Sequence, residues 1–125
     1  MEFKKTHSIF LQIAEMISEQ ILLDQLASKS KIASVREMAA NLQVNPNTIM
    51  RTYTHLQDKG ILTNKRGIGF FVAADAKSII TQQEKEAFIQ NELPLLLRKM
   101  VLLDIDFDRV KHLYEESKTK IESKS

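Results

Sequence analysis

Apolar residues recur at helical spacing along most of this chain, and the polar positions between them mark where each helix starts and stops. Ile9, Ile13, Met16/Ile17 and Ile21 form one stripe, flanked by Phe10 and Leu22, behind Ser8 in the N-cap position. The spacing predicts a helix of about four turns ending near Asp24 or Gln25. Met1–His7 is polar and expected to be loose, except that Phe3 has something to bury. Ser34 then caps a second stripe, Val35, Met38, Ala39 and Leu42, and Gln43-Val44-Asn45 makes a turn. Asn45 caps the next helix, with Pro46 at its first position, where a missing N–H costs nothing. On that third helix Ile49, Tyr53 and Leu56 share one face. Asn47, Arg51, Thr54 and His55 lie opposite, with Thr48 beside them.

Gly60 ends the third helix by taking the left-handed conformation that side-chain-bearing residues resist. The pattern then changes. Ile61-Leu62-Thr63-Asn64 reads as a strand and Phe70-Phe71-Val72-Ala73 as its partner, with Lys65-Arg66-Gly67-Ile68-Gly69 as the hairpin tip. Leu26–Ala33 is a polar connector with room for a short strand at Lys31–Ala33. From Asp75 helical spacing returns. A helix is expected from about Ser78 to Leu103, carrying Ile89, Leu93, Leu96, Met100 and Leu103, with Pro94 expected to kink or split it. After the turn Asp104-Ile105-Asp106, a last helix carries Phe107, Val110, Tyr114, Ser117 and Ile121.

These elements predict a mainly α chain with a small β-hairpin. Residues 1–76 make a winged helix-turn-helix domain, and residues 77–125 make a two-helix region. The apolar faces of that region have no further chain to cover them, so a second copy is the economical partner. Leu93, Leu96, Met100, Val110 and Tyr114 are the residues expected in such a dimer interface. The alternative is that the two helices fold back on the winged domain of a monomer.

Charge sharpens this division. Residues 1–74 hold nine Lys/Arg and six Asp/Glu, or +3, whereas residues 75–125 hold nine and ten, or −1. The basic excess sits with the helix-turn-helix, as a polyanionic partner requires. The absence of Cys removes thiolate catalysis, disulfides and Cys-based zinc sites, and it fits a reducing compartment. No leader or membrane-length apolar run stands in the sequence, so a cytoplasmic location is expected. His7, His55 and His112 are scattered, with no second ligand or carboxylate at metal spacing. Asp104, Asp106 and Asp108 lack the Gly and Glu of a calcium loop and are explained by capping. Neither an enzyme nor a cofactor is expected.

An apolar back with an Asn/Thr/Arg front suits a helix that reads base edges, and a glycine-bearing cationic hairpin directly after it suits a wing. Taken singly, each has a plainer explanation as a solvated helical hairpin or solvated loop tip. Their order makes the combination specific. The chain resembles the GntR family of bacterial transcription regulators, specifically the short YtrA-type branch, over about Ser8 to Ala73. The motifs are Ile9-Phe10-x-Gln12-Ile13, Ser34-Val35-Arg36-Glu37-Met38-Ala39, Val44-Asn45-Pro46-Asn47-Thr48-Ile49, Arg51-Thr52-Tyr53-x-x-Leu56, Gly60-Ile61-Leu62 and Arg66-Gly67-x-Gly69-x-Phe71-Val72. The family usually has Pro-Gly where Ser28-Lys29 stand and Pro where Ala33 stands. Other branches place Arg at the positions of Pro46 and Met50.

The resemblance implies a homodimeric regulator of a neighbouring operon, often one encoding transport. The expected activity is repression through sequence-specific binding to double-stranded DNA, and two-fold symmetry predicts an inverted-repeat operator. Arg36, Thr48, Gly67 and Gly69 carry over position by position, and Asn45, Asn47 and Arg51 look like the YtrA-type arrangement. With Ser34, His55, Lys65 and Arg66 these complete the expected DNA-binding set. The tail has room for at most a small effector pocket, and nothing in it names a ligand. The competing reading is a winged-helix adaptor that binds protein or RNA without operator specificity.

Overall fold

The computed structural model describes residues 8–124, with side chains as far as Glu122; Phe3 and His7 lie outside the described residues. The helices are α1 (Ile9–Leu22), α2 (Val35–Leu42), α3 (Pro46–Asp58), α4 (Ala76–Ala87), α5 (Leu93–Leu102) and α6 (Phe107–Lys124). The strands are β1 (Leu62–Lys65) and β2 (Gly69–Val72), and a π-helical segment, Phe88–Glu92, joins α4 to α5. Contacts divide these residues into two compact units, between Glu84 and Lys85.

The first unit is built on the buried faces that helical periodicity marks. Ile13 and Ile17 of α1 meet Ile49, Tyr53 and Leu56 of α3, and all five are at most 1% exposed. Ala39 of α2, Ile32 of the connector and Val72 of β2 close this core. Ile9 is the exception on the α1 stripe. It stands at the first turn and remains 45% exposed. Thr52 is also buried, although it is polar. Its hydroxyl lies 2.8 Å from the Thr48 carbonyl and 3.2 Å from the Phe10 carbonyl, so its proton always has an acceptor.

Backbone chemistry defines the helix ends. At the N-terminus of α2, the Ser34 hydroxyl accepts from the Glu37 N–H at 3.1 Å, while the Ser34 N–H donates to the Glu37 carboxylate at 3.2 Å. This reciprocal box satisfies two otherwise orphaned donors and holds the Glu37 carboxyl below its usual pKa. At the C-terminus of α3, Gly60 at φ +81° lets the Ile61 N–H return to the Leu56 carbonyl. The same motif ends α1 at Asp24, α2 at Gln43 and α5 at Asp104, where side-chain-bearing residues take positive φ.

The hairpin pairs Leu62 with Val72, Thr63 with Phe71, Asn64 with Phe70 and Lys65 with Gly69. Lys65 and Gly69 are therefore paired strand residues rather than part of the tip, which narrows to Arg66-Gly67-Ile68. The connector adds a third edge to this hairpin. Lys31 bridges to Phe71, the Ile32 N–H donates to the Phe70 carbonyl, and the Val72 N–H donates to the Ser30 carbonyl. Tyr53 locks the sheet to α3: its ring packs edge-on to Phe70, and its hydroxyl donates to the Ala33 carbonyl at 2.7 Å.

The division falls later than Ala76 because the first turns of α4 belong to the first core. Ala76 and Ile80 are buried, and Ile79 packs against the cluster. In the second unit, Leu93, Met100 and Val110 are half-buried, whereas Leu96 and Tyr114 are 51% and 66% exposed. Pro94 does not split the helix. The backbone flanking the π-helical segment keeps helical dihedrals, and the wider turn just before Pro94 accommodates a ring that would collide with the carbonyl four residues back.

Tyr53→Phe should lower the stability of the first unit by about 1 kcal/mol, because it leaves the Ala33 carbonyl without its donor. Urea unfolding of both chains checks this, and equal midpoints would show that the hydroxyl contributes nothing.

Candidate nucleic-acid interface

With Ile49, Thr52, Tyr53 and Leu56 turned inward, α3 presents the opposite arc to solvent. Asn47, Met50, Arg51 and Thr54 are exposed on that arc, and Thr48 is half-buried at its edge. The Asn45 side-chain oxygen accepts from the Asn47 N–H at 2.8 Å, which leaves its amide hydrogens unused by the cap. The Asn47 side chain makes no hydrogen bond among the described residues. The Arg51 guanidinium lies 3.9 Å from the centre of the Phe10 ring, a cation–π contact that orders it while leaving the donors at its rim free. Ser34 and Arg36 are exposed at the start of α2, and the capping box leaves the Ser34 hydroxyl proton free to donate.

The wing is more basic than its own sequence suggests. Alternation along the connector buries Ile32 and exposes Lys29 and Lys31, and strand pairing brings both to the outer side of the hairpin. A pocket beside β2 is lined by Lys29, Thr63, Lys65 and Phe71, and the Lys65 ammonium sits 4.3 Å over the Phe71 ring. A Cβ added at Gly69 would lie 3.1 Å from the Lys31 side chain, and Gly69 holds φ +138°. Gly67 holds φ +78° at the open tip beside Arg66. Arg36, Lys29, Lys65 and Arg66 form no ion pair among the described residues. Sequence reading missed Lys29 and Lys31, because only pairing with β2 reveals that the connector lies beside the wing.

His55 is placed differently from its neighbours on the wheel. It is half-buried at the α1–α3 seam, edge-on to Phe10, and lines a cleft of about 130 Å³ with Leu11, Ser18 and Lys59. Burial lowers its pKa below the usual value, and Lys59 adds to the shift.

The model of the GntR family of bacterial regulatory proteins matches residues 10–72. The chain belongs to the GntR family. The Bacillus subtilis HTH-type regulator YhcF is 36% identical over 109 residues, covering 82% of this chain and 90% of its own. The HTH-type transcriptional repressor YtrA of the same organism is 32% identical, covering 71% of this chain and 68% of its own. A solved GntR-family structure from Bacteroides thetaiotaomicron is 41% identical, with a TM-score of 0.77 over 90% of this chain and 98% of that one. The chain is a DNA-binding transcriptional regulator of the YtrA-type branch, not an enzyme. No helix among its described residues is long and apolar enough to cross a membrane.

The placement of His55 predicts a pH dependence of stability for this GntR regulator. The folded chain binds the imidazole proton less tightly than the unfolded chain, in which an ordinary value near 6.5 applies. Neutral His55 therefore contributes stability above that pH, and the contribution is lost as pH falls through the lower folded value. Acidification from about pH 7.5 to about pH 5.5, above the carboxylate range, should lower the melting temperature of the parent more than that of His55→Gln. Equal losses would mean that His55 titrates alike in both states.

Proposed function

We propose that the chain acts as a homodimeric repressor on an inverted-repeat operator, with α3 in the major groove of each half-site and the wing against the flanking backbone. The observation that carries this reading is unspent hydrogen-bonding capacity on the exposed arc of α3, at the start of α2 and at the hairpin tip. Asn47, Arg51 and Thr54 face outward, and Arg36 and Arg66 stand free of ion pairs among the described residues. In this arrangement Asn47, Thr48 and Arg51 address base edges. Ser34, Arg36 and Asn45 clamp phosphates beside them, and Lys65 and Arg66, with Lys29 and Lys31, add charge along the backbone. Gly67 and Gly69 let the wing backbone approach closely. His55, neutral and turned to Phe10, supports the helix more than it contacts DNA.

The second unit supports dimerisation. Leu96, Val101, Leu102, Leu113, Tyr114 and Ile121 are all at least half exposed, a concentration of large apolar side chains within two helices that pairing would remove from water. Leu93, Met100 and Val110 of the same helices are half-buried. Pairing two copies over these faces makes the second half-site contact intramolecular, which strengthens binding roughly 10²-fold or more where the spacing fits. A repressor fits a dimer that occupies promoter DNA, and the Bacillus subtilis relative YtrA is named a repressor.

DNA enrichment from the genomic sequence should yield an inverted repeat. Arg51→Ala should weaken binding to it by about 1–3 kcal/mol and relax preference at one base position. Leu96→Glu should sediment as a monomer and lose the advantage of the second half-site. A Leu96→Glu chain that stays dimeric, or an Arg51→Ala chain that binds unchanged, would overturn the corresponding half of the proposal.

A further inference from the structure

We propose that Met50 reads the C5-methyl group of a thymine in each operator half-site; this rests on the DNA-reading role proposed above for α3. The large apolar residues of this helix are otherwise spent on the core, with Ile49, Tyr53 and Leu56 at most 1% exposed. Met50 is 47% exposed and packs outside the core cluster. It sits in the N-terminal half of α3, about one turn after Asn47 and one turn before Thr54, on the same outward arc. That half of a recognition helix is the part that approaches base edges.

A lone exposed hydrophobic residue on a protein surface is ordinary and needs no explanation. Met50 differs because its neighbours on the arc are Asn47, Arg51 and Thr54, all of them polar and exposed. Its thioether offers no donor and only a weak acceptor, so it has little to give a polar base edge. It is also unbranched and polarisable, and it moulds to irregular apolar surfaces. On the floor of the major groove, the apolar feature that distinguishes one base from the others is the thymine methyl. Asn47 strengthens the assignment. It stands about one turn before Met50, a rise of about 4.5 Å, on the same outward arc. Its free carboxamide has the donor and acceptor that match adenine N6 and N7. Asn47 and Met50 each therefore favour an A·T pair.

The test uses the full chain and the duplex it enriches from genomic DNA. Each thymine of that duplex is replaced in turn by deoxyuridine, which removes the methyl group and nothing else. Binding by the parent should weaken about three- to tenfold at one position in each half-site. Met50→Ala, an exposed substitution, should bind the thymine and uracil duplexes equally. The uracil scan of the parent needs no variant, so indifference to every replacement overturns the inference even if Met50→Ala misfolds, and Met50→Leu, which keeps an apolar side chain of similar size, should retain the sensitivity. A parent indifferent to every replacement overturns the inference, as does a Met50→Ala chain that keeps the full sensitivity. Enrichment of no duplex at all overturns the DNA-reading role of α3 and this inference with it. An enriched duplex without methyl dependence overturns the inference alone.

Discussion

Burial of one face of α3 is the constraint on which the first unit depends. Ile49, Tyr53 and Leu56 are held against α1 with almost no exposure, and this fixes the rotation of α3 about its own axis. Once that rotation is fixed, the opposite arc has to face outward, and its polar residues become a surface instead of a scatter. Tyr53 extends the constraint to the wing. Through Phe70 and the Ala33 carbonyl it ties the hairpin and the connector to the same helix. A substitution that loosened this face would let α3 turn, and it would disturb the reading arc and the wing together.

Hydrophobic periodicity makes α1, α2 and α3 legible in the sequence, because each has one clear apolar stripe behind a capping residue. The reading arc follows from the same arithmetic. Relations between segments distant along the chain are not legible in this way. Lys29 and Lys31 look like connector residues until the Ile32 N–H is seen to pair with the Phe70 carbonyl. His55 shares its side of the helical wheel with Arg51, yet α1 brings Phe10 against it and lowers its charge. The strands lie one residue nearer the tip than their composition suggests: Lys65 and Gly69 complete the ladder, which no local propensity announces, while Ile61 and Ala73 fall outside it. A proline inside a helical run predicts a kink or a break, but at Pro94 a π-helical segment accommodates the ring, a solution that depends on backbone geometry and not on composition.

The two units use apolar residues in opposite ways. In the first, most large side chains are absorbed by the core, and on α3 Met50 is the one large apolar side chain that is not. In the second, residues such as Val101 and Ile121 are left exposed at 80% and 70%. Hydrophobic burial strengthens with area removed from water, at roughly 25 cal/mol per Å², so surface of this kind favours association. A DNA-binding unit with a modest positive charge gains most from such pairing, since two weak readers joined together bind as one strong reader.

Two copies of the α3 arc reading one two-fold symmetric site is the central claim. Hydroxyl-radical footprinting of the full chain on the DNA it enriches tests this most directly. Two protected segments related by two-fold symmetry are expected, with centres about 34 Å or a multiple of that apart along the duplex. A single protected segment, or protection that ignores sequence, would contradict it.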